Sequence, residues 1–402
     1  MFVFDAIIQC MGRYRRGRRK VYTERRKLTP TFVVLLCTFV ICAVIFCGYN
    51  LYPDYIYPFF YGHHENSTLD VEFIKSKDLS IHFLELGNQY TGDCTLIKAG
   101  NVEVLIDAGS KASSISTIKN YLDQYVLDGT IEYVIVTHAH EDHYAGFATP
   151  EKTLSLFDLY NVKTVIQFAQ VTPETMERNI YANYLRELNE LQTRCNTKVF
   201  NALECVEETN GAKSQYLLTE NIVLEVLDHR YYREVASTEN NHSVCCQVIQ
   251  NNDKYYLFTG DLEKAGEESL VASNKQLTKV ELYKAGHHGS KTSSHNVLLE
   301  VIQPKIVCVC CCAGSNEYTS TNENQFPTQD FIDRIAIYTE KVYVTTIYEE
   351  QKENKFASMN GNIVVFCNEY DLRPDVQCSN NAIILKKTKW FKQNRNCPTV
   401  WL

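Results

Sequence analysis

Val136-Thr137-His138-Ala139-His140-Glu141-Asp142-His143 places three imidazoles and two internal carboxylates within six consecutive positions, His138 to His143. The chain holds only 11 His in 402 residues. Ile131–Thr137 is a short apolar run that reads as a strand, so the His-rich residues begin at a strand end. Loops beyond strand ends are where folds of mixed α/β type place their chemistry. On a turn, His-x-His-x-Asp-His can divide its ligands between two ions, with His138 and His140 facing one and Asp142 and His143 the other. Zinc takes His nitrogen and Asp oxygen readily, and a catalytic site keeps one position open for water. A carboxylate from elsewhere must bridge two such ions. Asp261 in Phe258-Thr-Gly-Asp is the candidate, because the strand Tyr255–Thr259 runs straight into it. His288, in Ala285-Gly-His287-His288-Gly-Ser290, would close the second site.

Outward from these stretches the chain reads as alternating strands and helices. Strands are expected at Leu79–Leu86, 92–97, 102–109, 222–227, 243–249, 280–283, 342–345 and 362–366. Helices are expected at Ser113–Leu127, Pro173–Arg194, His295–Ile302 and Phe331–Tyr338. Cys308, Cys310, Cys311 and Cys312 could be taken for a metal site. Their setting, Ile-Val-Cys-Val-Cys-Cys-Cys-Ala, reads instead as a buried strand in which Cys acts as a small apolar residue. Cys195 with Cys205 and Cys378 with Cys397 are candidate local disulfides, although sequence does not fix the pairing.

Charge is distributed unevenly. Residues 1–27 carry nine Lys/Arg against Asp5 and Glu24, a net +7, so the overall −8 leaves −15 on the remainder. A basic tail on an acidic body fits a membrane-facing tail better than a nucleic-acid-binding body. The tail leads into an uncharged run, long enough as a helix to cross roughly 30 Å of hydrocarbon. The domain organisation expected is a basic cytoplasmic tail (1–27), one transmembrane helix (28–50), a linker (51–70), a hydrolase domain (71–370) and a C-terminal extension (371–402). The Lys/Arg bias predicts a single-pass protein with a cytoplasmic N-terminus and an extracytoplasmic catalytic body.

The motifs, taken together, resemble the metallo-β-lactamase superfamily: Ile106-Asp107-Ala-Gly109, Thr137–His143, Thr259-Gly-Asp261 and the late His288. More narrowly, the chain is similar to the metallo-β-lactamase-like domain of bacterial DNA-uptake (competence) channel proteins and to related phosphorylcholine-esterase-like hydrolases. Leu84-Glu-Leu-Gly87 with Gly92-Asp93, Asn240-Asn-His-Ser-Val244 and Lys284-Ala-Gly-His-His-Gly-Ser-Lys-Thr-Ser-Ser294 carry that likeness. The resemblance spans roughly residues 79–367. It implies an α/β fold, an αββα sandwich with a dinuclear site at one edge. By motif, the first ion takes His138 and His140, the second takes Asp142, His143 and His288, and Asp261 bridges. Asp107 would hydrogen-bond and orient a ligand. The superfamily often supplies another His to the first ion. Here His242 is the candidate, with His229 a weaker one and an Asn or water as alternatives. The pore-forming helices of the DNA-uptake proteins have no counterpart.

The function these features imply is hydrolysis by a hydroxide that two divalent ions generate, zinc first, with manganese or iron as alternatives. Asp142 and His287 are the expected catalytic residues, His287 touching a phosphoryl oxygen or protonating the leaving group. Ser290 and Lys291 would bind the phosphate. The expected substrate is a phosphodiester, either nucleic acid or a phosphorylcholine-type headgroup, and the membrane is the other expected partner. Lactones, thioesters and sulfate esters form a second class of substrate on the same site. A non-catalytic binding protein is the third reading. The acidic body argues against long DNA, whose binding leans on Lys/Arg contacts.

Overall fold

The structure is a computed structural model and describes residues 69–402. The basic tail, the 28–50 stretch and nearly all of the 51–70 linker lie outside the described residues. The chain divides into two units, Met1–His63 and His64–Leu402, and the described residues all belong to the second. The expected anchor is corrected here. Among the described residues no helix is long and apolar enough to cross a membrane, and nothing in them supports the single-pass localisation.

Among the described residues sixteen strands form two eight-stranded sheets. The first contains β1 (Leu79–Phe83), β2 (Thr95–Ala99), β3 (Val102–Ile106), β4 (Thr130–Val136), β5 (Asn161–Gln167), β6 (Lys198–Asn201), β15 (Ile363–Cys367) and β16 (Asp375–Cys378). Its spatial order is β16-β15-β1-β2-β3-β4-β5-β6. The second contains β7 (Gln215–Thr219), β8 (Ile222–Leu227), β9 (Cys245–Gln250), β10 (Lys254–Phe258), β11 (Leu282–Lys284), β12 (Ile306–Ala313), β13 (Val342–Tyr348) and β14 (Phe356–Ser358), in the order β14-β13-β12-β11-β10-β9-β8-β7. Residues of both sheets share one apolar cluster, in which the Phe83 and Phe258 rings lie 6.4 Å apart. The same cluster takes in Ile118, Tyr184 and Leu188 from the helices Ile115–Leu122 and Asn179–Cys195. A second cluster joins the outer face of the second sheet to the helices Lys264–Ser273, Asn296–Ile302 and Gln329–Ile335.

The Cys-rich segment is a strand, as expected, and all eight of its residues are buried. Ile306, Cys308 and Cys310 enter the inter-sheet core, while Val307, Val309 and Cys311 enter the outer one. That is the two-residue alternation of a strand buried on both faces. Burial pushes these thiols up, Cys311 to about 12. The expected disulfides are not formed, since Cys195, Cys205 and Cys397 each keep a free thiol. The single helix expected at 173–194 is two, Pro173–Met176 and Asn179–Cys195, with Arg178 extended between them. The first turn is held apart by Glu239, whose carboxylate accepts from Thr172 N and from the Thr172 and Thr175 hydroxyls.

Within the first sheet β3, β4, β5 and β6 pair in parallel, and within the second β10, β11, β12 and β13 do. Asp107, His138, Asp261 and His287 each follow the carboxyl end of one of these strands. Parallel strands in open α/β sheets present ligand sites beyond that end.

Candidate metal centre

The His-rich turn is clamped by backbone bonds from neighbouring segments. Asp93 N donates to Asp142 O at 3.0 Å, Ala108 N to His143 O at 2.7 Å and Val244 N to Thr137 O at 2.8 Å. Gly109 fits only because it lacks a side chain, since a Cβ there would fall on the carbonyl of Asp142. The His287–His288 pair is fixed differently. Both residues adopt left-handed backbone, φ 45° and 54°. Such conformations cost about 1–2 kcal/mol per residue and persist where the surroundings over-determine them. Here the determinants include Ser290 N donating to His287 O at 2.8 Å and His288 Nδ1 donating to Cys310 O at 2.8 Å.

Two pairs of imidazole nitrogens converge. His138 Nε2 lies 3.1 Å from His140 Nδ1, and His143 Nε2 lies 3.3 Å from His288 Nε2. Carboxylates meet the second pair. Asp261 Oδ2 is 3.2 Å from His143 Nε2 and 3.3 Å from His288 Nε2, and Asp142 Oδ2 is 3.2 Å from His288 Nε2. Behind the rings the other nitrogens are engaged. His143 Nδ1 donates to Asp107 Oδ2 at 2.7 Å, and Asp107 also accepts from Thr137 N and Oγ1. With an ion displacing the proton on Nε2, that contact would fix the tautomer and leave the Nε2 lone pair forward.

The electrostatics are those of a cation site. Burial opposes a charged His143, yet Asp261, Asp107 and Asp93 outweigh it and push the imidazole up to about 10. His288 is likewise raised against burial, by Asp261 and Asp93. For His138, burial dominates and keeps the ring neutral. Asp93, His143, Asp261 and His288 can each bring one donor atom within 4.8 Å of the others. Asp93 Oδ1 and Asp261 Oδ1 are also buried without a hydrogen-bond partner. The field that draws protons on to two buried imidazoles would equally draw a divalent ion, and the N/O donor set suits one.

Of the residues singled out from sequence, His138, His140, Asp142, His143, Asp261 and His288 lie together, with Asp107 directly behind. His287 sits at the rim, its side chain 21% exposed and its Nε2 3.9 Å from Asp261 Oδ2. Its Nδ1 bonds the Thr292 hydroxyl at 2.8 Å. Ser290 is buried and bonds the same hydroxyl, while Lys291 turns away to Asn324 Oδ1 at 2.9 Å. His242 needs correction. Its Nε2 accepts from Ala236 N at 2.8 Å and its Nδ1 faces Glu239 at 3.4 Å, so neither nitrogen is free for an ion. It stabilises the loop beneath the site. Ser243, the next residue, is the one that reaches in, its hydroxyl accepting from Asp261 N at 3.0 Å and lying 3.4 Å from His138 Nδ1.

Three residues given no role in the sequence analysis also belong here. Asp93 stands 3.3 Å from His288 Nδ1, behind that ring. Lys284 is buried at the end of β11, ion-paired with Asp93 and 3.6 Å from Asp261 Oδ1. Tyr318 donates to Asp142 Oδ2 at 2.7 Å. A Lys inside an apolar strand end and a Gly-Asp pair before a strand were the available signals for the first two. Nothing local in the sequence marks Tyr318.

Comparison with known proteins agrees with the motifs. The family model described as metallo-beta-lactamase superfamily matches residues 87–149. Recombination protein 2 of Haemophilus influenzae is 24% identical over 269 residues, 66% of this chain and 28% of its own length. ComE operon protein 3 of Bacillus subtilis is 32% identical over 100 residues, 23% of this chain and 12% of its own. The chain thus spans less than a third of either relative. Among solved structures, the metallo-beta-lactamase fold protein YhfI of Bacillus subtilis aligns with 67% of this chain and 96% of its own at 11% identity and TM-score 0.39. Around this site, residues 87–149 match the metallo-β-lactamase superfamily model, and the chain is similar to bacterial recombination and competence proteins.

Proposed function

We propose that the chain is a metal-dependent hydrolase that cleaves phosphodiesters with two divalent ions. The observation that carries this reading is the convergence of two imidazole pairs with Asp142 and Asp261. His138 and His140 would hold one ion, Asp142, His143 and His288 the other, and Asp261 would bridge. Ions bound there would supply Lewis acidity, making water a better nucleophile and offsetting charge on the phosphoryl oxygens.

The chain's own residues do the rest. Asp107 holds His143 in the tautomer that turns Nε2 forward. Cys310 O and Asp93 do the same for His288. Lys284 sets a fixed positive charge beside Asp261, which is otherwise buried with other carboxylates. His287, at the rim and bonded through Nδ1 to Thr292, presents Nε2 where a departing oxygen can take its proton. Ser290 orients Thr292 and therefore His287, which replaces the direct phosphate contact expected from its position. Zinc suits the donor set, with manganese or iron as the alternatives to test.

Two phosphodiester classes should be compared, single-stranded DNA and p-nitrophenyl-phosphorylcholine. The names of the relatives point to the first, and the acidic body points away from long nucleic acid. The enabling test is hydrolysis of bis-p-nitrophenyl phosphate with added zinc or manganese. Turnover should be lost in Asp142→Ala and His288→Ala. Turnover that survives both substitutions, or that appears only on lactone, thioester or sulfate esters, contradicts the reading.

A further inference from the structure

The C-terminal residues end in two tryptophans whose purpose is not evident from the sequence. In the structure Leu385, Trp390, Phe391 and Trp401 are buried in the outer core, and Trp401 Nε1 donates to Thr339 O at 3.1 Å. One residue of the segment points elsewhere. Arg395 Nε donates to Pro327 O at 2.9 Å and its Nη2 to Gln325 O at 2.7 Å. Its guanidinium lies 4.8 Å from the centre of the Trp390 ring. Trp390 in turn packs under Gly314 so closely that a Cβ there would sit 2.6 Å from the indole nitrogen.

Gly314 and Pro327 bracket one loop, closed by Gly314 N donating to Phe326 O at 3.0 Å. Arg395 and Trp390 therefore hold both of its ends from below. From above, the loop reaches the candidate metal centre. Phe326 lies 5.8 Å from the His287 ring, 5.9 Å from His288 and 5.7 Å from Tyr318. Tyr318 is 55% exposed, yet its hydroxyl bonds Asp142 Oδ2. An exposed phenol over a ligand carboxylate is placed to meet substrate. Helices and strands hold such a group more tightly than a free loop does, and this loop gains that support from the segment beneath it.

We infer that Arg395 is a positioning residue for the site: it fixes the Gly314–Pro327 loop and so places Tyr318 as the wall against which substrate binds. The inference rests on the hydrolase reading only for its kinetic arm. Neither Arg395 nor Trp390 touches a candidate ligand of the ions.

The test uses the full chain with Arg395→Ala, Arg395→Lys and Tyr318→Phe. In Arg395→Ala, amide exchange in residues 314–328 should accelerate by about tenfold or more while β12 keeps its protection, because the loop opens locally. Arg395→Lys can reach one carbonyl and should fall between wild type and Ala. Tyr318→Phe should leave exchange unchanged. On bis-p-nitrophenyl phosphate, Arg395→Ala and Tyr318→Phe should both raise KM by about three- to tenfold with kcat within about twofold, the pattern of lost substrate binding. Metal content should not change. Wild-type exchange in the loop of Arg395→Ala overturns the inference. If that variant fails to fold, wild-type exchange in Arg395→Lys overturns it equally. A wild-type protein that does not cleave the ester refutes the hydrolase reading and leaves the exchange result to decide this one.

Discussion

Replacing Lys284 by Met should destabilise the protein strongly without metal and weakly with it. The ammonium is buried between Asp93, with which it is ion-paired, and Asp261, 3.6 Å away, and both carboxylates are buried too. At 3.6 Å and an effective dielectric of about 20, the attraction to Asp261 alone is about 4–5 kcal/mol. Breaking a buried pair by removing one partner typically costs about 3–5 kcal/mol, because the remaining charge is left uncompensated. For a domain of this size that corresponds to a fall in Tm of roughly 6–10 °C at about 2 °C per kcal/mol. Met fills similar volume, so packing contributes little to the loss. Divalent ions bring positive charge to the same carboxylates. Saturating zinc or manganese should therefore recover most of the loss, whereas EDTA should show it in full. Asp93→Asn should partly rescue, so that the double variant is less destabilised than the sum of the singles by more than about 1 kcal/mol. Thermal unfolding of the four proteins in EDTA and in metal measures all of this. A Lys284→Met protein melting within about 2 °C of wild type in EDTA, or strict additivity with Asp93→Asn, would refute the reasoning.

Acid should also weaken the fold through two buried histidines that are not candidate ligands of the ions. Burial lowers His82 to about 3 and His229 to about 4, so both stay neutral in the fold while the unfolded chain takes up protons below about 6.5. Each contribution is complete above that pH and declines as pH falls from about 6.5 towards the folded value, by up to about 1.4 kcal/mol per pH unit. His82→Gln, which can still bond Tyr121 and Ser80, should flatten the slope in urea unfolding at pH 7, 6 and 5 in EDTA. His242→Ala should cost about 1–3 kcal/mol by stranding the Ala236 amide and leave metal content at the wild-type level, whereas a ligand would not. Gly109→Ala should drive a methyl into the Asp142 carbonyl, costing about 1–3 kcal/mol and weakening metal uptake measured by competition with a chromogenic chelator.

Much of the site is legible in the sequence because its residues are local. His138 to His143 occupy one turn, and the strand before them is a clean apolar run. Asp261 and His288 follow short apolar strands of the same kind. What escapes has a physical reason in each case. Asp93 and Lys284 work as a pair across two sheets, and nothing in either segment records the partner. Tyr318 reaches the site from a loop whose position is set by Arg395, 77 residues further on. His242 sits one residue before Ser243, and sequence cannot tell which of two adjacent polar side chains points inward. The strand β5 escapes because Lys163 and Thr164 interrupt its apolar pattern, although parallel pairing with β4 secures it. The Cys-rich strand is legible, since its apolar neighbours outweigh any metal-ligand spacing. The candidate disulfides fail because closeness in sequence says nothing about where side chains point: Cys205 lies in the core beside Tyr216, while Cys195 is half-buried beside Asn161.

The central claim is that two ions share one set of side chains, and direct metal analysis tests it. After reconstitution with zinc and desalting, inductively coupled plasma mass spectrometry should find about two ions per wild-type chain and about one in His140→Ala. Asp261→Ala, which removes the bridge, should retain fewer than about one. Fewer than about half an ion on the wild-type protein, or two ions surviving in Asp261→Ala, would contradict the account.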